Sequence, residues 1–66
     1  MSEVIEYLEK QIRKAEDQLR QAKLLIDIMR DAGEDVSGLE LQYSKLKRKV
    51  DMYRAALERA KRALAK

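Results

Sequence analysis

The chain has 66 residues, with 15 Lys and Arg against 12 Asp and Glu and a formal net charge of +3. It contains no Cys, His, Trp, Phe, Pro, Asn or Thr, which excludes a disulfide framework, a Cys/His zinc site and any nucleophile–histidine pair. No aliphatic run is longer than Leu24-Leu25-Ile26, too short to span a membrane, and residues 1–20 carry charges throughout, unlike a secretory leader.

Residues 3–32 read as one amphipathic helix. Ile5, Leu8, Ile12, Ala15, Leu19, Ala22, Ile26 and Met29 recur at alternating steps of three and four, which stacks them into one seam. Ala, Glu, Lys, Leu and Arg supply 39 of the 66 residues, the composition of coiled coils and long helices.

Residues 33–37 read as a turn. Gly33 suits the left-handed position just past a helix end. In Ser37-Gly38-Leu39-Glu40 the serine and the glutamate have the spacing of a capping box, and Val36 and Leu41 that of a hydrophobic staple. Ser2 is the expected cap of the first helix. Asp27, Asp31, Glu34 and Asp35 crowd the turn, but as a calcium loop starting at Asp31 they place Val36 at the glycine position and Gln42 at the bidentate glutamate position. That match fails.

Residues 38–65 repeat the helical pattern through Leu39, Tyr43, Leu46, Val50, Tyr53, Leu57, Ala60 and Leu64. A short turn between two long helices predicts an all-α fold, an antiparallel two-helix hairpin of coiled-coil type. With Met29 near Leu39, facing residue numbers sum to roughly 68–72 by the heptad repeat. Ala15 then faces Tyr53 and Leu57, Ala22 faces Leu46 and Val50, and Ala60 lies near Leu8 and Ile12. Glu3, Glu6 and Glu9 at the start of the first helix come beside Arg59, Arg62 and Lys66 at the end of the second. Within the helices, Glu6–Lys10, Glu9–Arg13, Glu16–Arg20 and Glu58–Arg62 have the favourable acid-first spacing.

The chain resembles computationally designed helical hairpins, in segments such as Leu8-Glu9-Lys10-Gln11-Ile12-Arg13-Lys14 and Leu57-Glu58-Arg59-Ala60-Lys61-Arg62-Ala63-Leu64. The middle, with Ile28, Met29, Val36, Tyr43, Met52 and Tyr53, is less regular. In topology the chain is similar to Rop-type hairpins, which pair into four-helix bundles and bind RNA. That likeness is architectural and carries no residue across.

A core of this size supplies only about 3–5 kcal/mol, so burial against another chain is expected. Val4, Leu24, Leu25, Ile28, Met52, Ala55, Ala56 and Ala63 lie off the seams and provide apolar surface for it. Leu24, Leu25, Ile28, Tyr43 and Met52 are the candidate partner-interface residues, although Tyr43 and Tyr53 also fit seam positions. The leading expectation is a non-catalytic homodimer, two hairpins forming a four-helix bundle. A module binding a different protein through the same residues is the alternative.

Nucleic-acid binding is a further alternative, because residues 34–66 hold nine Lys and Arg against five Asp and Glu, while residues 1–33 hold six against seven. Yet Lys45, Lys47, Arg48 and Lys49 point around the helix rather than along one face, and no aromatics interleave with them. No catalytic residue, cofactor or metal ligand is expected: Ser2 and Ser37 read as caps, Ser44 has no histidine partner, and the carboxylates lie on wet faces.

Overall fold

The computed structural model describes residues 2–65, apart from the side chain of Ser2. The expected cap at Ser2 and the charge of Lys66 therefore lie outside the described residues. Two helices make up the fold, α1 from Ser2–Asp31 and α2 from Ser37–Leu64, packed antiparallel as an all-α hairpin. Each begins and ends one residue earlier than the sequence pattern suggests. The molecule measures 53 × 15 × 11 Å, consistent with helices of about 30 residues rising 1.5 Å per residue.

The end of α1 is a Schellman turn. The Gly33 amide donates to the Arg30 carbonyl at 2.9 Å and the Glu34 amide to the Met29 carbonyl at 3.0 Å. This closure needs a left-handed residue, and Gly33 has φ of 87°. A Cβ placed there meets nothing within 4 Å, so only the backbone conformation demands glycine. Gly33→Ala is expected to lower stability by about 1 kcal/mol, with Gly33→Asn closer to wild type. Urea unfolding measures both, and an alanine variant as stable as wild type would contradict this role.

The start of α2 differs from the sequence expectation. The Ser37 amide donates to Asp35 Oδ1 at 3.0 Å, and the Glu40 amide closes the first helical bond to the Val36 carbonyl at 2.8 Å. No side chain of Val36, the capping residue, bonds the helix. Glu40 does not reach back to Ser37, because its carboxylate binds Arg30 at 2.6 Å. A guanidinium is a stronger partner for a carboxylate than a neutral amide. Of the expected staple pair, Val36 is buried while Leu41 stays exposed.

The core is one stripe. Ile12, Leu19, Val50 and Leu57 form its buried centre, with Ile5, Leu8, Ala15 and Tyr43 packed against it. Ile26 and Val36 are buried nearer the turn. The α1 seam is as expected, every member being buried or half-buried. The α2 seam is not: Leu46, Tyr53, Ala60 and Leu64 are exposed. Ile12 and Leu19 cluster with Val50 and Leu57, whereas the α2 row of Leu46, Tyr53 and Ala60 stays exposed. No described side chain is completely dry; Val36 and Val50 keep 5% of their surface.

Candidate functional site

The two flanks of the seam are chemically different. On one flank cross-helix ion pairs join Arg30 to Glu40 at 2.6 Å, Lys61 to Glu9 at 2.6 Å, and Arg54 to Glu16. Each pair sums to 70, within the expected register. The rung between them brings Lys23 to the level of Lys47, and Lys47 turns to Asp51 at 3.2 Å. The expected intrahelical pairs Glu9–Arg13 and Glu16–Arg20 give way to these rungs. Arg20 instead bonds Asp17 at 3.0 Å, and Glu58 meets Lys61 at 3.9 Å rather than Arg62.

Two of these pairs and one turn contact move protonation equilibria; the bond to Glu16 raises Arg54. The hydrogen bond from Lys61 holds the Glu9 carboxyl below its ordinary value of 4.5, and Lys61 is raised above 10.5 by the same bond. The Ser37 amide holds Asp35 below 3.8. A carboxyl whose folded pKa is depressed stabilises the fold fully above its ordinary value and loses that contribution as the pH falls through the lowered one. The Lys61 contribution has the opposite sense: it is complete below 10.5 and is lost as the pH rises through the higher folded value.

The melting temperature is therefore expected to stay level from neutral pH to about 5 and to fall below that. Glu9→Gln should flatten the upper part of the fall. An unchanged profile in that variant would show that the Glu9–Lys61 pair contributes nothing.

The opposite flank lacks cross-helix ion pairs among the described residues. In heptad terms α1 presents Val4, Gln11, Gln18 and Leu25 there, and α2 presents Gln42, Lys49, Ala56 and Ala63. On the ion-paired side Glu9, Glu16 and Lys61 are half-buried while Arg30, Glu40 and Arg54 are exposed; on the other, Val4 and Leu25 are exposed. α2 is thus rolled toward the charged flank, with Val50 and Leu57 buried and Leu46, Tyr53 and Ala60 exposed.

A groove between Glu9, Ile12, Arg13, Arg54, Leu57 and Glu58 lies on the ion-paired side, and two shallow ones lie elsewhere. One, lined by Val4, Ile5, Leu8, Ala60, Ala63 and Leu64, lies at the open end of the hairpin and is apolar throughout. The other lies along α2 between Lys49, Met52, Tyr53, Ala56 and Arg59.

Of the candidate interface residues, Leu24, Leu25, Ile28 and Met52 are exposed, whereas Tyr43 packs against the core. Leu25 lies on the open flank, Ile28 and Met52 border it at equivalent heptad positions, and Leu24 lies further round α1. Sequence reasoning missed Leu46, Tyr53, Ala60 and Leu64, all assigned to the seam. The signal available was the pairing of Ala15 with Tyr53 and Ala22 with Leu46, which reads as interlocking only when a further helix covers the pair.

Among the described residues no group of carboxylates is arranged to hold a metal ion, and no helix is long and apolar enough to cross a membrane. Around the turn, Arg30 engages Asp27 at 3.2 Å and Ser37 engages Asp35. Comparison with protein-family models, curated proteins and solved structures finds no match.

Proposed function

We propose that this chain is a non-catalytic structural hairpin whose activity is self-assembly, two copies closing into a four-helix bundle. The exposed apolar seam positions of α2 carry this reading. Three cross-helix ion pairs line one side of the seam, while Leu46, Tyr53, Ala60 and Leu64 stay in water. Apolar side chains at seam positions are stable only when covered.

Area favours a second copy as the cover. A compact monomer of 7.7 kDa exposes about 4,300 Å², whereas the hairpin exposes 5570 Å². That excess of about 1,200 Å² per chain, which goes with the rod shape of 53 × 15 × 11 Å, leaves room for an interface on the scale of an obligate homodimer. Particle mass in solution tests the reading, two chains being the expected result. A stable monomer would overturn it and leave the same positions as the docking face for a different protein.

A further inference from the structure

We propose, building on the dimer reading, that the second copy seats on the open flank with both turns at the same end, so that α1 lies antiparallel against the partner's α2. The occupied flank decides which neighbours are possible. In antiparallel helix pairs each flanking row meets its own kind. The row of Glu9, Glu16 and Arg30 is already paired within the hairpin. Only the row of Val4, Gln11, Gln18 and Leu25 and its α2 counterpart remain, and these meet only between antiparallel helices.

Two two-fold arrangements satisfy that condition. One sets α1 on α1 and α2 on α2, with the turns at opposite ends. The other sets α1 on the partner's α2, with the turns together.

Charge separates them. Residues 34–66 carry nine cationic and five acidic side chains, residues 1–33 six and seven. Packing α2 on α2 brings the two cationic halves together. The two registers that overlap these helices almost fully set Lys49 against its own copy, or Lys45 against the partner's Arg59. Like charges at such positions are destabilising.

Packing α1 on the partner's α2 avoids both clashes. A two-fold axis parallel to the helices permits no sliding, so the register within the hairpin carries over. Val4 and Ala63 share a groove within one hairpin, and the same levels then place Val4 by the partner's Ala63, Gln11 by the partner's Ala56, Gln18 by the partner's Lys49 and Leu25 by the partner's Gln42. None of these four positions sets like charges against each other. One position further round, exposed Ile28 comes level with the partner's Gly38, where a Cβ would have open space on every side.

The test uses Glu34→Cys, a single thiol in a chain that has none, at a turn residue whose amide, not its side chain, makes the turn. A spin label there is measured by pulsed dipolar spectroscopy on the full chain, with the particle mass determined in parallel. Turns together give a label separation of about 25 Å or less, since neighbouring helix axes lie about 8–10 Å apart. Turns apart give about 45 Å, the length of one helix. A two-chain particle with the long distance overturns the arrangement and leaves the dimer standing. Any mass other than two chains overturns both.

Discussion

Tyr53→Glu combined with Ala60→Glu is expected to convert the two-chain particle to a monomer and to lower its melting temperature sharply. Both positions are exposed in the single hairpin, so a glutamate there stays in water while the hairpin stands alone. In the bundle the same two positions face the centre. An unpaired carboxylate in such a place costs several kcal/mol, and each dimer would hold four.

The control carries the same charge change on the outer face of α2. Leu41→Glu with Ala55→Glu should leave the mass unchanged, because both residues are exposed there and lie away from the open flank. Light scattering reads the mass and circular dichroism the melting. If the first pair keeps the mass of two chains, the flank is not the interface.

Leu57→Ala is expected to unfold the chain at room temperature or nearly so. Leu57 sits in the buried centre with Ile12, Leu19 and Val50. Truncating a core leucine costs about 2–5 kcal/mol, comparable to everything a core of this size supplies. Alanine has the higher helix propensity, so any loss must come from packing. Leu24→Ala removes the same atoms from an exposed site and should cost little. Urea unfolding compares the two, and equal effects would mean that the core is not where the structure puts it.

The hairpin was legible because its signals are local and redundant. Ile5 to Met29 repeat without a break, and Gly33 stands where the helix must end, as its φ of 87° requires. The register followed from setting Met29 near Leu39 across the short turn, and it lands on the observed pairs of Glu9 with Lys61 and Glu16 with Arg54. What escaped depends on rotation rather than period. A heptad pattern says which residues share a stripe, not how far the helix rolls about its own axis when only one partner is present.

In α2 the roll exposes Tyr53 and Leu46 while bringing Arg54 over Glu16. The capping box failed for a related reason. Glu40 has a choice between the amide of Ser37, three residues away, and Arg30, ten residues away and visible as a neighbour only once the hairpin closes. Of the candidate interface, Leu25 and Met52 were legible as off-seam apolar positions. Tyr53, Ala60 and Leu64 were hidden by fitting the seam too well.

The most direct measurement is light scattering behind size exclusion, from a few micromolar to a millimolar. A mass of twice 7.7 kDa across that range is the expected result of the proposal that a second copy covers exposed Leu46, Tyr53, Ala60 and Leu64. A mass of 7.7 kDa at a millimolar would contradict the account.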